Sequence, residues 1–246
     1  IDKLINESTT NDLIDHLNVS AWDKLLKQTN FRSKMTERVR KDFDAKFSQQ
    51  SKIAFTKNNM LELMEALMQN QGAILDQCVT DAFDYMTAHY DENRVHFEGW
   101  KTNDRWMVNQ KVIFPRIVEY GDYMTTSDLS NWGDKLSLYY SAKEKLYDID
   151  KALCYISGKD IKQILDTGRA LESVFSELGK IKTGDKFNNT CESEFFNIKF
   201  FKKGTIHLEF KDEWLYQKFN QVAVGGKGWL MGSEGQSFQR KRKKAA

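Results

Sequence analysis

Proline is almost absent from this chain of 246 residues, in which Pro115 is the single example. Because proline interrupts helices, its scarcity allows long, unbroken helices along nearly the whole sequence. It also excludes one class of enzyme. Amino-methyltransferases that act on adenine or cytosine carry two consecutive prolines in their catalytic loop, and this chain has no such pair.

Cysteine and long apolar runs are scarce as well. Cys78, Cys154 and Cys191 are far apart, and no CxxC pair provides half of a zinc site. We therefore expect reduced thiols in a cytoplasmic protein, with no metal or other cofactor. No apolar run reaches about 18 residues, so we expect neither a transmembrane helix nor a membrane partner.

The charges are distributed unevenly along the chain. Eleven lysines and arginines face four acidic residues from Phe195 to the end, whereas acidic residues outnumber basic ones over the first 194 positions. A basic end on a slightly acidic body favours a polyanionic partner. The plain alternative is a solvated tail together with an exposed hairpin.

Apolar residues at three- and four-residue steps predict that most of the chain is helical. The N-terminal helices are expected over Asp12–Gln28 and Arg32–Ser48, followed by a long helix over Lys57–Tyr90 with a break at Gln69–Gly72 left open. Later helices are expected in three further segments: Ser141–Ser157, Lys159–Thr167 and Arg169–Gly179.

The C-terminal region predicts a β-hairpin followed by a helix. Phe196, Ile198 and Phe200 alternate with residues that face the other way, namely Phe195, Asn197 and Lys199. Lys203-Gly204 predicts the turn and Ile206–Phe210 the second strand. The helix presents an apolar face made by Trp214, Leu215 and Phe219.

These elements together predict an α+β fold that is mostly helical. A small antiparallel sheet is expected from the C-terminal hairpin, Glu194–Phe210, and a strand over Arg105–Phe114. Three parts are predicted: a helical hairpin extension over 1–54, a main domain over 55–232 and a basic flexible tail over 233–246.

Three blocks carry a resemblance to a known family. They are ENRVHFEGWKTNDRWMVNQKVIFP (Glu92–Pro115), DIDKALCYISG (Asp148–Gly158) and FFNIKFFKKGTIHLEFKDEWLYQKFNQVAVGGKGWL (Phe195–Leu230). Over residues 55–230 the chain resembles a bacterial and phage family of unknown function that mobile elements spread. Its members are often fused to, or encoded beside, DNA adenine methyltransferases. The resemblance implies a setting of DNA modification, restriction or counter-defence.

Two segments invite a ligand-site interpretation that their spacing does not support. Gly225–Gly228 lacks the GxxxxGK[ST] pattern and follows a helix, so we interpret it as a helix end with an exposed lysine. His89, Asp91, Glu92 and His96 match no metal-binding frame, and solvated helix-end residues are the preferred interpretation.

Metal-dependent nuclease activity is one alternative function. Its weak candidate catalytic residues are Glu98 with Lys101, and Glu194 with Lys199, because metal nucleases need carboxylates and often a lysine near the attacking water. Neither pair shows the Asp…Glu-x-Lys layout of a nuclease strand pair.

Binding to nucleic acid without catalysis is the function that the sequence favours. Lysines around a hairpin attract phosphates, and aromatic side chains can stack on bases. The predicted binding residues are Lys199, Lys202, Lys203, His207, Lys227, Arg240, Lys241 and Arg242. A third function, a protein inhibitor or adaptor that binds a host defence enzyme, would use exposed tryptophans as anchors. Those candidates are Trp100, Trp106, Trp132 and Trp229.

Overall fold

The computed structural model describes residues 7–50, 53–96, 105–120, 136–178, 189–201 and 203–229. The chain divides into two compact units, Ile1–Leu75 and Asp76–Ala246. The described part of the first unit is almost entirely helical, whereas that of the second combines helices with all the strands that the structure describes. The expectation of a mostly helical α+β protein with small antiparallel sheets is confirmed.

The first unit is a group of helices around a small aromatic core. Its elements are α1 (Glu7–Gln28), α2 (Phe31–Lys34), α3 (Glu37–Gln50) and the first part of α4 (Lys57–Thr87). Trp22, Leu26 and Phe47 are buried at its centre. The indole N–H of Trp22 donates to the carbonyl of Ile53 at 2.9 Å, which ties the start of the α3–α4 connection to α1.

One prediction about these helices needs correction, and one open alternative is resolved. The helix expected over Arg32–Ser48 is two helices, because the backbone becomes extended at Met35 and α3 begins at Glu37. Helix α4, by contrast, runs unbroken through Gln69–Gly72. Thr56 caps its N-terminus by accepting a hydrogen bond from the backbone N–H of Asn59 at 3.3 Å.

A four-stranded antiparallel sheet is the centre of the second unit. Its order is β3 (Lys111–Phe114), β8 (Ile206–Phe210), β7 (Phe196–Phe200) and β6 (Thr190–Glu192). Two short ladders accompany it. One joins β1 (Arg94–His96) to β2 (Trp106–Val108), and the other joins β4 (Val118–Tyr120) to β5 (Leu136–Leu138).

One face of the four-stranded sheet is buried under helices. The helices of this unit are the end of α4, α5 (Tyr140–Ser157), α6 (Thr167–Leu178) and α7 (Glu213–Gly226). Every second residue of β7 and β8 belongs to the shared apolar core. Those residues are Phe196, Ile198, Phe200, Ile206, Leu208 and Phe210. We call this side of the sheet the core face.

The strand expected over Arg105–Phe114 is also two strands. Trp106–Val108 pairs with β1, whereas Lys111–Phe114 pairs with β8. The side-chain amide of Asn220 on α7 explains the change, because its Oδ1 accepts from the N–H of Val108 at 2.7 Å. The backbone of Val108 is thus hydrogen-bonded to α7, and pairing with the four-stranded sheet begins only at Lys111.

The segment between α5 and α6 was predicted to be a helix over Lys159–Thr167, and this is wrong. The chain forms turns there, with Asp160 accepting backbone hydrogen bonds from Lys162 and Gln163. Gly158, with φ of 71°, ends α5 as expected. Helix α6 starts at Thr167, where the buried carboxylate of Asp150 accepts from both the backbone N–H and the hydroxyl.

The β7–β8 turn is held against another part of the chain. Gly204 has φ of 80°, which few other residues adopt, and its carbonyl accepts hydrogen bonds from the N–H groups of Ile117 and Val118. A Cβ at this position would lie 2.7 Å from the carbonyl oxygen of Val118. The turn predicted at Lys203-Gly204 is therefore confirmed, and its glycine is required by both conformation and space.

Candidate nucleic-acid interface

The side of the four-stranded sheet away from the helices carries mostly polar residues, arranged in two rows. We call this side the open face. Register pairs the rows across the four strands, so their members are cross-strand neighbours. The His207 row contains Ile113, His207, Lys199 and Thr190. The Glu209 row contains Lys111, Glu209, Asn197 and Glu192.

The open face has a hollow of about 450 Å³. Its lining comes from all four strands and is mainly polar: Lys111, Thr190, Cys191, Glu192, Asn197, Ile198, Lys199, His207 and Glu209. A volume of this size lies within the range of about 300–1,000 Å³ that is typical of small-molecule sites. The hollow is therefore large enough for one nucleotide-sized group.

His207 lies among three positive charges. Burial lowers the pKa of its imidazole below the ordinary value of 6.5, and the charges of Lys111, Lys199 and Lys203 lower it further. Its Nδ1 is inaccessible to solvent and has no hydrogen-bond partner among the described residues. A neutral imidazole surrounded by ammonium groups marks a region of positive potential, which is where an anion would be stabilised.

An aromatic ring is next to this positive region. The rings of Phe201 and His207 have their centroids 4.5 Å apart at 49°, and the Lys199 ammonium lies 5.7 Å from the Phe201 centroid. Phe201 is half-buried. A flat ring beside lysines is the combination that single-stranded nucleic-acid sites use for stacking and phosphate attraction.

The Glu209 row differs from the His207 row because it carries acidic residues and an amide. Asn197 and Glu209 are direct cross-strand partners, and both side chains are exposed. Glu192, the other acid of this row, is paired with Lys211 at 3.1 Å. The row therefore presents one amide and one carboxylate next to the lysines of the open face.

The predicted binding residues divide into three groups. Lys199 and His207 are cross-strand neighbours on the open face, and Lys203 lies in the turn beside them. Lys202, Arg240, Lys241 and Arg242 lie outside the described residues. Lys227 lies on the helical side of the sheet, at the end of α7.

Lys227 has a packing role in the structure. Its ammonium pairs with Asp84 of α4 at 2.5 Å and lies over the rings of Phe83 and Trp229. The expected helix end is confirmed, since α7 ends at Gly226, but the lysine is not exposed. Gly226 lets the two helices approach, because a Cβ there would collide with the hydroxyl of Thr80.

Of the candidate catalytic pairs, the structure describes only Glu194 with Lys199. Glu98 and Lys101 lie outside the described residues. Glu194 forms an ion pair with Lys159, and its backbone N–H donates to the carbonyl of Leu165. Glu194 therefore holds the turn between α5 and α6 against the segment just before β7. The prediction had instead grouped it with Lys199.

The His89–His96 segment forms no metal cluster within the described residues. Asp91 pairs with Arg94 at 3.1 Å, while the imidazoles of His89 and His96 pack against Tyr85 and Trp106. Asn93, which carried no prediction, is the structural centre of this segment. Its buried side-chain amide exchanges two hydrogen bonds of 2.8 Å with the backbone of Ile113.

Several aromatic residues lie elsewhere than the sequence predicted. Phe195 is buried in the core, with the Lys159 ammonium over its ring, and so is not on the open face. Trp214 is 59% exposed, whereas its predicted companions Leu215 and Phe219 are buried. Trp106 and Trp229 pack against each other with centroids 5.3 Å apart. Trp100 and Trp132 lie outside the described residues.

Four residues of the open face were not among the predicted binding residues: Lys111, Asn197, Phe201 and Glu209. The alternation in β7 and β8 puts Asn197 and Glu209 on the side of Lys199 and His207, so the pattern contained this signal. The sequence could not place Lys111 on this face, because its position depends on the pairing of β3 with β8, which lies almost 100 residues further along the chain. Phe201 required the conformation of the turn.

None of the helices in the described residues combines the length and hydrophobicity of a bilayer-spanning helix. Searches of curated proteins and of solved structures found no significant match. A family model described as a domain of unknown function (DUF4942) matches residues 14–228. This match includes most of the N-terminal helices, which the resemblance over 55–230 had left outside. The chain therefore belongs to the DUF4942 family.

Proposed function

We propose that this protein is a non-catalytic nucleic-acid-binding factor and that the open face of its four-stranded sheet is the contact surface. The observation that carries the proposal is the group of Lys111, Lys199 and Lys203 around His207, close enough to lower the pKa of the imidazole. Several ammonium groups on one side of a sheet favour a phosphodiester backbone, which supplies most of the affinity in nucleic-acid complexes.

The charge balance of the open face supports this choice. The open face carries two acidic residues besides its lysines, and one of these acids, Glu192, is already paired with Lys211. Phe201 and His207 add flat rings that can stack on bases. A protein partner has less support, because the predicted anchors Trp106 and Trp229 are partly buried against the core, which leaves Trp214 as the exposed tryptophan of the described residues.

The resemblance to a family spread by mobile elements gives the biological setting. We extend the proposal to a factor of phage or mobile-element origin that acts with DNA modification, restriction or counter-defence. In that setting a basic surface would bring the protein, or an enzyme encoded beside it, to nucleic acid.

Charge reversal on the open face tests the proposal. The variant is Lys199→Glu with Lys203→Glu, and binding to fluorescein-labelled 12-mers and duplexes is measured by anisotropy between 50 and 200 mM salt. We expect at least a tenfold loss of affinity at low salt. Loss of two phosphate contacts should also flatten the slope of log K against log salt by about 1.4 for single strands.

The matched control has the same change in charge on the helical side. Lys162 lies in the turn between α5 and α6 and Lys218 on α7, so Lys162→Glu with Lys218→Glu should retain near-wild-type binding. Equal affinities for the two double variants would show that the open face is not the binding surface. Absence of salt-dependent binding by the wild-type protein would refute the function itself. Incubation with Mg²⁺ and gel analysis checks the non-catalytic part, which cleavage would contradict.

A further inference from the structure

We infer that the open face binds one unpaired nucleotide of a single strand, that Asn197 and Glu209 read the edge of its base, and that Lys199 and Lys203 hold its phosphate. This inference rests on the proposed function and adds the form of the nucleic acid and its base preference. The preferred bases are those with an exocyclic amino group: adenine, cytosine and guanine.

The shape of the surface favours a single strand over a duplex. A protein reads duplex DNA by inserting a helix or a protruding two-stranded ribbon into the major groove. Here the charged residues line a hollow of about 450 Å³ that spans four strands. A hollow of this volume has room for one unpaired nucleotide.

The two rows of the open face are suited to different parts of a nucleotide, the His207 row to the phosphate and the Glu209 row to the base. Lys199 and His207 are partners in one row, with Lys203 in the adjoining turn, and the two lysines offer positive charge to a phosphate. Asn197 and Glu209 are partners in the neighbouring row, and no hydrogen bond occupies either side chain within the described part of the chain. Both are exposed, so their polar atoms are available to a base.

The chemistry of Asn197 and Glu209 sets the base preference. An asparagine amide donates and accepts one hydrogen bond each, as it does with adenine, while a carboxylate only accepts, as it does from the cytosine amino group. Thymine and uracil carry no exocyclic amino group, and their single N3–H donor lies between two carbonyl oxygens that repel a carboxylate. The pair therefore matches bases that carry an amino donor and disfavours thymine and uracil.

The ring pair beside the rows supplies the remaining contact. Phe201 and His207 lie at the turn end of the hairpin with centroids 4.5 Å apart, next to Lys199. A base that leaves the hollow can stack there, since stacking on aromatic side chains needs no particular base. This contact should raise affinity for single strands in general without changing the preference set by the Glu209 row.

The experiment compares 12-mers of dA, dC and dT, the rA and rU 12-mers, and one mixed duplex, by anisotropy at 50 mM salt. For the wild-type protein we expect dA and dC to bind at least fivefold more tightly than dT and the duplex. The rA strand should likewise exceed rU, and comparison of rA with dA identifies the preferred sugar.

Two variants and one control assign the preference. Asn197→Ala and Glu209→Gln should each reduce the dC-to-dT ratio at least threefold, because glutamine can donate to a thymine carbonyl. Glu177→Gln removes the same charge from α6 and should leave the ratio unchanged.

The possible failures are distinguishable. Equal binding of dA, dC, dT and the duplex, or ratios in Glu209→Gln that equal those in Glu177→Gln, would overturn the base-reading inference while the nucleic-acid function stands. Binding of none of the probes would overturn the proposed function itself.

Discussion

The core face and the open face of the four-stranded sheet use alternate residues of the same strands. On β7 the core face takes Phe196, Ile198 and Phe200, all nearly inaccessible, whereas the open face takes Asn197 and Lys199, both exposed. The first set packs against helices and the second lines a hollow. Two residues that follow each other in the sequence therefore have unrelated roles.

This difference separates stability from recognition. Apolar side chains on the core face hold the helices to the sheet, and burying each one contributes about 1.5–3 kcal/mol. The open-face side chains contribute little to stability, because charged groups at a surface interact weakly. Substitutions on the two faces should consequently change different measurements.

Phe200→Ala should produce the largest effect. Phe200 is 1% exposed and its ring packs edge-on against Phe175 with centroids 5.3 Å apart, so truncation leaves a cavity. We expect a loss of about 3–5 kcal/mol in the free energy of unfolding, measured by urea denaturation. The neighbouring Lys199→Ala should change it by less than about 0.5 kcal/mol. Similar losses in both variants would contradict the division between the faces.

Asn93→Ala tests the edge of the sheet, where the two faces meet. The Asn93 amide donates to the carbonyls of Ile113 and Met86 and accepts from the N–H of Ile113, so it completes the outer edge of β3 as a further strand would. Its removal leaves one buried and two partly buried backbone groups without this partner, and we expect a loss of about 2–4 kcal/mol. An unfolding free energy within 1 kcal/mol of wild type would contradict this role.

Asp150→Asn tests a buried titratable carboxyl group in the helical layer over the core face. Burial raises the pKa of Asp150 to about 7, although hydrogen bonds from Thr167 act in the opposite direction. Between about pH 4 and 7 the native state holds a proton that the unfolded state has lost, so stability falls as pH rises through this range.

Asparagine keeps the shape of Asp150 but does not titrate. The variant should therefore gain stability relative to wild type by roughly 2 kcal/mol between pH 5 and 7. The measurement is a set of urea denaturation curves at pH 5, 6 and 7 for both proteins. Parallel pH profiles would show that Asp150 does not retain its proton in the native state.

The smallest effect is expected on the open face itself, at His207. Burial and then the charges of Lys111, Lys199 and Lys203 lower the pKa of this imidazole below 6.5. Lys199→Ala removes one of these charges and should raise the pKa, measured by NMR titration of the imidazole proton. Lys218→Ala on α7 serves as the control and should not change it.

The lowered pKa of His207 also determines how stability depends on pH. Because the folded pKa of His207 lies below the unfolded value, protonation favours the unfolded state. Its contribution to stability is therefore present at neutral pH and is lost as pH falls below 6.5. A bound phosphate should reverse the shift and raise the pKa. A titration curve unaffected by both Lys199→Ala and nucleic acid would argue against an anion site beside His207.

Local patterns in the sequence determined a large part of this fold. Alternation of apolar residues over 196–210 predicted the hairpin, and the Lys203-Gly204 pair predicted its turn. Thr56 and Gly158 marked a helix start and a helix end that the structure contains. These signals succeed because a strand period, a cap or a positive φ depends on residues close together in the chain.

Only the tertiary structure decided how these elements form a site. Phe195 follows the strand alternation by position but is buried, and Lys227 is paired with Asp84 because α7 packs against α4. Lys111 joins the open face because β3 pairs with β8, a choice between residues almost 100 positions apart. The sequence alone thus determined which residues alternate and where helices begin and end. Pairing and packing decided which lysines surround His207, because both depend on contacts that no local pattern records.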